Sequence, residues 1–268
     1  MSLSRAREKL LGRLRHRKSR EREGLFLVEG IRSASEALET GTRISFAVTS
    51  PRVRELAGGE ELALALRDAG VEVHEVEDAE LARLSDTQTP QGVLLACREP
   101  SAGLAELVPT DVAGRRGRAL RLLVLDGIQD PGNLGTLVRA AAAFALSGVL
   151  LLEGTVDPYN PKAVRAAAGG LFRVPVVRVP WSEVGGWLEE RGVRLLVAEA
   201  HGTDVARARA APPWALVVGS EAAGARGEIV SAAARVVAVP MPGGSDSLNA
   251  GVAGAVLLYA LTREDAGA

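Results

Sequence analysis

Cysteine, histidine and aromatic residues are scarce in this chain, and each shortage excludes something. The single cysteine, Cys97, rules out an internal disulfide and any site built from several thiolates. His16, His74 and His201 stand far apart without metal-ligand spacing, so no metal centre is expected. No apolar run approaches the ~20 residues that span a bilayer, and the first 20 residues are polar and arginine-rich, unlike a signal peptide. A cytoplasmic protein with no membrane partner is the expectation. The dinucleotide fingerprint G-x-G-x-x-G is missing, because Gly219, Gly224 and Gly227 are wrongly spaced, and no Walker A lysine pattern occurs. These absences disfavour a nicotinamide-dependent oxidoreductase and a P-loop enzyme.

What remains has ordinary globular composition: 268 residues, 47% hydrophobic and 24% charged. A chain of this length buries roughly 70–75% of its unfolded surface and needs no covalent staple. The formal net charge of −1 conceals an asymmetry, since residues 1–32 carry ten basic side chains against four acidic ones. Arg13, Arg15, Arg17, Lys18, Arg20 and Arg32 belong to that block, and a basic block at one end of a neutral chain suits phosphate binding. A solvated helix face is the alternative. With Phe26 and Phe46 and little else aromatic in the N-terminal half, a nucleic-acid partner would be read by backbone and shape more than by base stacking.

Two βα series are expected, giving an α/β fold. In the first, strands at Leu25–Glu29, Ile44–Val48, Val71–Val76 and Gly92–Cys97 alternate with helices at Ile31–Glu39, Glu60–Ala69 and Ala79–Leu84. Residues 99–118, rich in proline and glycine with low periodicity, read as a linker. Domains over 1–98 (with a basic segment at 1–24) and 119–268 follow. In the second series, continuous apolar strands at Leu120–Leu125, Gly148–Leu152, Val174–Val179, Arg194–Ala198, Ala215–Val218 and Val236–Val239 are interleaved with helices. Unalternated runs of this kind indicate a parallel sheet covered on both faces. Ligands of such sheets sit beyond the carboxyl ends of the strands, which directs attention to three loops.

The first loop, Asp126 to Gly135, opens a helix carrying Arg139, with Asn133 placed as its N-cap. Asn133 either merely caps, with Arg139 solvated, or both face a substrate cleft. The second, Val218 to Ala225, is small-residue rich and lets a ligand approach closely; Glu221 either orients the loop or is surface charge. The third runs from Val239 through Met241 to Ser247, Leu248 and Asn249, before a helix whose small residues at 250, 251, 253, 254 and 255 imply close packing.

Together these loops resemble the three motifs of the SPOUT methyltransferases, in the TrmH (SpoU) branch of RNA ribose 2′-O-methyltransferases. Asn133-Leu-Gly-Thr-Leu-Val-Arg139 is similar to the first motif, Gly219-Ser-Glu-Ala-Ala-Gly224 to the second, and Val239 to Asn249 to the third. Phe26-Leu-Val-Glu-Gly-Ile-Arg32 and Pro90-Gln-Gly-Val93 resemble the substrate-binding domain of rRNA-modifying members. The resemblance implies a small N-terminal α/β substrate-binding domain and a C-terminal parallel-sheet SPOUT domain with a trefoil knot. It implies a homodimer through the C-terminal domain, S-adenosylmethionine as cofactor, and an RNA substrate. The RNA expected is 23S rRNA, with tRNA or a non-catalytic RNA-binding role as alternatives. The catalytic positions it implies are Asn133, Arg139, Ser247 and Asn249. Those of the cofactor are Gly219, Ser220, Glu221, Gly224, Val239, Met241, Ser247 and Leu248. Ala222 stands where the family usually has glycine, so a positive φ there would strain the loop. Ala250-Gly251 stands where Val-Ser is usual.

Overall fold

The computed structural model describes residues 3–109, 119–208, 211–243 and 247–265. By packing, the chain divides into two compact units: Met1–Ser101 with Asp157–Phe172, and Ala102–Val156 with Arg173–Ala268. Of the linker expected over 99–118, residues 110–118 lie outside the described residues, as do 244–246 of the third loop.

The first unit begins with α1 (Arg5–Arg13) and α2 (Arg17–Glu23). There follow β1 (Leu25–Glu29), α3 (Ile31–Glu39), β2 (Ile44–Thr49), α4 (Gly59–Asp68), β3 (Val73–Glu75), α5 (Asp78–Leu84) and β4 (Val93–Arg98). The sheet order is β1-β4-β2-β3, with β4 antiparallel to both neighbours and β2 parallel to β3. Leu11 and Leu14 pack with Leu27, Phe46, Val48, Leu81 and Leu94 as one apolar core. Cys97 is buried in β4, and that burial pushes its thiol up to about 12.

The family-like residues of this unit build loops. Gly30, at φ +94, cannot cap α3 with a side chain, and Gln91 Oε1 accepts from the Ile31 N–H at 2.9 Å instead. Glu29 accepts hydrogen bonds from the hydroxyls of Ser85 and Thr87, tying the 85–87 turn to the end of β1. Gly92 combines φ +77 with an approach so close that a Cβ would lie 2.4 Å from the Val53 nitrogen.

Two members of the basic block are part of this architecture, contrary to the expectation that they face RNA. Arg20 is 2% exposed. Its guanidinium pairs with buried Asp157 and donates to the carbonyls of Leu14 and Arg15 at 2.9 Å. Four of the five N–H donors are engaged in these bonds, and a guanidinium this deeply buried cannot also hold a phosphate. Arg15 donates to the carbonyls of Arg83, Leu84 and Ser85, closing the C-terminal end of α5. Asp157 and α7 (Pro161–Ala167) thus pack with the N-terminal residues, where Phe26 meets Tyr159 with ring centroids 4.6 Å apart.

The second unit contains β5 (Arg121–Asp126), α6 (Pro131–Ala143), β6 (Gly148–Leu151), β7 (Val176–Arg178) and α8 (Trp181–Glu190). It continues with β8 (Arg194–Asp204), β9 (Trp214–Gly219), α9 (Gly227–Ser231), β10 (Arg235–Ala238) and α10 (Ala250–Asp265). Six strands run parallel in the order β10-β8-β9-β5-β6-β7. Every residue of β5 and β9 is buried, as continuous apolar runs require of central strands. β8 extends six residues beyond the expected Ala198. The extension is not regular: β10 pairs Val236 with Val197 and then Val237 with Thr203, so residues 198–202 form an excursion at the sheet's carboxyl edge. α10 packs on α6 closely enough that a Cβ on Gly254 would lie 2.3 Å from Leu137 Cδ2. Among the described residues no helix is long and apolar enough to cross a membrane.

Candidate active site

The end of β5 feeds α6 through Asp130-Pro131, and this pair settles how the helix starts. Pro131 occupies the first turn, where its fixed φ suits a helix and its missing N–H costs nothing. Asp130 is the N-cap, accepting from the Asn133 N–H at 2.8 Å. Asn133 is therefore not the N-cap that its type and position suggested. It sits three residues into α6 with its own side chain released from capping.

That released amide joins the three loops. Asn133 Nδ2 donates to Glu221 Oε1 at 2.6 Å, and Asn133 Oδ1 accepts from Asn249 Nδ2 at 2.9 Å. Asn249 Oδ1 in turn accepts from the Val252 N–H at 3.2 Å, capping the first turn of α10. Glu221 is thus an orienting carboxylate whose donor is a side-chain amide. Gly251 lies directly beneath the pair. A Cβ there would stand 3.2 Å from both Asn133 Oδ1 and Asn249 Oδ1, so glycine at this position leaves the two amides uncrowded.

The second loop closes on itself. The Ser220 N–H donates to the Gly224 carbonyl at 3.0 Å and the Gly224 N–H to the Ser220 carbonyl at 2.9 Å. Gly224 supplies the positive φ, +68. A Cβ on Gly219 would lie 2.0 Å from the Gly224 carbonyl carbon, so only glycine permits the return. Among the described residues the non-glycine positions with positive φ are Ala145 and Ala168. Ala222 is not one of them, and the strain expected there does not arise.

One clamp escaped the sequence reading. Arg226, just past this turn, donates its backbone N–H and Nε to buried Asp126 at 2.8 Å each, and its Nη2 to Glu153 at 3.0 Å. The signal was available: Asp126 ends an apolar central strand, and a buried carboxylate requires a partner. A hydrogen bond from its own backbone N–H, another from that of Trp181, and the Arg226 guanidinium hold Glu153 below its usual carboxylate range.

Between these loops and the end of β8 lies a cavity of about 450 Å³, within the range of small-molecule sites. Gly219, Ser220, Glu221, Gly224, Val239, Met241, Ser247 and Leu248, the eight positions expected at the cofactor, all line it, as does Asn249. Its described lining holds two carboxylates, Glu199 and Glu221, and neither lysine nor arginine. Apolar walls with negative charge suit a cationic nucleoside such as S-adenosylmethionine and would repel a nucleotide polyphosphate. A larger hollow of about 710 Å³ in the first unit, bordered by Arg54, Arg67, Glu75, Glu77 and Glu80, contains none of the motif residues. Arg139 is exposed on α6, and it makes no hydrogen bond or ion pair with another described residue. The structure brings Asn133 to Glu221 and Asn249, and does not join it to Arg139. Among the basic candidates, Arg13, Lys18 and Arg32 are exposed, while exposed Arg17 pairs with Glu21 at 2.7 Å.

The fold and loops define a member of the SpoU class of methyltransferases: the SpoU rRNA Methylase family model matches residues 121–259, and the chain belongs to that family. An MRM3-like substrate binding domain model matches residues 6–95. The 23S rRNA (guanosine(2553)-2′-O)-methyltransferase of Bacillus subtilis is 31% identical over 93% of each chain. The structure of the SpoU methyltransferase AviRb from Streptomyces viridochromogenes in complex with AdoMet superposes with a TM-score of 0.83 at 29% identity, covering 97% of this chain and 98% of that one. An AdoMet-bound rRNA methyltransferase from Sinorhizobium meliloti gives 0.83 at 28% identity, covering 98% and 96%.

Proposed function

We propose that this protein transfers a methyl group from S-adenosylmethionine to a ribose 2′-hydroxyl of 23S rRNA. The observation that carries the reading is the Glu221–Asn133–Asn249 bridge, which gathers three family motifs around one cavity. Relatives named as 23S rRNA 2′-O-methyltransferases supply the substrate, and the match of residues 6–95 to a substrate-binding domain favours rRNA over tRNA. Residues 1–98 then form the RNA-binding domain and 119–268 the catalytic one, except that 157–172 pack with the former, and Arg13, Arg17, Lys18 and Arg32 are the exposed phosphate contacts.

When bound, the cofactor supplies a methyl group on sulfonium, which already carries a good leaving group. The chain must align the attacking oxygen and manage its proton, and alignment is worth ~7–11 kcal/mol at near-attack distance. The backbone of the 219–224 turn together with Val239, Met241, Ser247 and Leu248 holds the donor. Asn133 and Asn249 act by fixing the loops. Arg139 is the reacting-centre residue: a guanidinium does not deprotonate in proteins, so it clamps the neighbouring phosphate and stabilises the developing alkoxide. The proton leaves to phosphate or water.

A second copy of the chain completes the assembly. Val252, Val256 and Tyr259 expose 39–51% of their surface on α10, beside the helix that bears Arg139. An apolar stripe of that kind is unusual on a monomer, and a homodimer would cover it. A trefoil knot is part of this reading, with support from the gathering of residues 219, 239 and 248 at one cavity. The cytoplasm, where the rRNA is available, is the proposed location.

Mapping 2′-O-methyl positions in rRNA from cells that lack the protein, and from cells regaining it as wild type or Arg139→Ala, tests the reading. A site lost on deletion and restored only by the wild type supports it. An unchanged methylation map, or full restoration by Arg139→Ala, overturns the reaction or the role of Arg139 respectively.

A further inference from the structure

The excursion of β8 at residues 198–202 has no part in the three family motifs, yet it forms one wall of the motif cavity. It is held against β10 by a close approach: a Cβ on Gly202 would lie 3.0 Å from the Val236 carbonyl oxygen. With Gly202 seated there, Ala198, Glu199 and Ala200 are turned toward the cavity, two small residues flanking one carboxylate. Glu199 stands opposite the second-motif turn, with Oε1 3.4 Å from where a Cβ on Gly224 would be. Its neighbour across the cavity, Glu221, is satisfied by the Asn133 amide. Glu199 is half-buried and has no hydrogen bond or ion pair with another described residue. A half-buried carboxylate that lines a cavity can be hydrated, and a ligand that displaces that water has to bring donors of its own.

We propose that Glu199 is a cofactor-binding residue, whose carboxylate accepts hydrogen bonds from donor groups that S-adenosylmethionine and its product share. Two sets of donors fit that chemistry, the ribose hydroxyl pair and the amino group of the methionine moiety. Neither is changed by loss of the methyl group, so Glu199 grips substrate and product alike and sets cofactor affinity more than turnover. The proposal rests on S-adenosylmethionine as the occupant of the cavity.

Calorimetric binding to the full-length protein tests it without catalysis, using S-adenosylmethionine, S-adenosylhomocysteine and 5′-methylthioadenosine, which keeps the ribose and lacks the amino acid. Glu199→Gln keeps the shape and removes the charge, and Glu199→Ala removes every acceptor; unchanged melting temperatures verify that both fold. Loss of a charge-assisted hydrogen bond predicts about tenfold weaker binding of the first two ligands, and more for Glu199→Ala. A parallel loss for 5′-methylthioadenosine assigns the ribose hydroxyls, and an unchanged value for it assigns the amino group. Equal affinities of wild type and both variants for all three ligands overturn the proposal. Absence of binding by the wild type itself removes the cofactor reading, and this proposal with it.

Discussion

Two polar clusters, one in each unit, use similar groups to opposite ends. In the first unit, Arg20 and Asp157 are 2% and 4% exposed, and four of the guanidinium's five donors go to one carboxylate and two carbonyls. In the second, Asn133 is also buried, but the groups it orders, Glu221 and Asn249, both line a cavity. The first cluster is closed and therefore structural. The second is open on one side, and a ligand can complete it. Charge and residue type do not separate the two, because what differs is the number of donors and acceptors left over once the protein has folded.

Breaking the closed cluster gives the largest expected effect. Arg20→Ala removes the guanidinium partner of buried Asp157, which keeps its hydrogen bond from the Tyr159 N–H, and breaking a buried pair of this kind costs about 3–5 kcal/mol. The variant should melt well below the wild type while its residual folded fraction binds S-adenosylmethionine normally; an unchanged melting temperature would show that the pair is dispensable. Next in size is Arg139→Ala. Removing one stabiliser of developing negative charge lowers kcat about 10²–10³-fold. Because Arg139 is exposed and unpaired among the described residues, neither melting temperature nor cofactor affinity should move. Kinetics matching the wild type would remove it from the chemistry.

Much of the scaffold was legible before any coordinates. β1 and α3 fall on the residues the pattern gave, Leu25–Glu29 and Ile31–Glu39, because a run of four apolar residues and a glycine stop are local signals. The parallel sheet was legible for a related reason: central strands buried on both faces cannot hide their composition. Asn133 differs from its expected role because Asp130-Pro-Gly-Asn133 offers two capping residues, and the proline, by taking the first helical position, makes Asp130 the cap. Arg15 and Arg20 were misread because a charge run carries no record of burial. Asp157, which buries Arg20, lies 137 residues away. The continuation of β8 past Ala198 was not legible either, since the apolar run ends there and its pairing is with a strand still further along the chain.

The open cluster can be broken without disturbing its shape. Asn133→Asp nearly preserves volume but places an acceptor where Glu221 needs a donor, at a contact of 2.6 Å. Glu221 is exposed, so the cost is that of a lost hydrogen bond to a charged group with two carboxylates now facing each other, about 1.5–3 kcal/mol. Because the strain falls on the second and third loops, it should appear as about 10- to 100-fold weaker binding of S-adenosylmethionine, with a much smaller change in melting temperature than Arg20→Ala produces. Wild-type affinity in Asn133→Asp would mean that the bridge is incidental to the cavity.

The smallest effect sharpens the comparison most, because it concerns two basic residues of the same helix. Lys18 and Arg20 both lie in α2, one exposed and one buried. If only exposed charge meets RNA, Lys18→Ala removes one phosphate contact. It then lowers the slope of log affinity against log salt by about one, with stability unchanged. Arg20→Ala has the reverse signature, a loss of stability with the salt slope of the folded fraction preserved. Titrating a 23S rRNA fragment against both variants at several salt concentrations separates the cases. A reduced slope in Arg20→Ala, with none in Lys18→Ala, would mean that burial does not govern which members of the basic block reach the substrate.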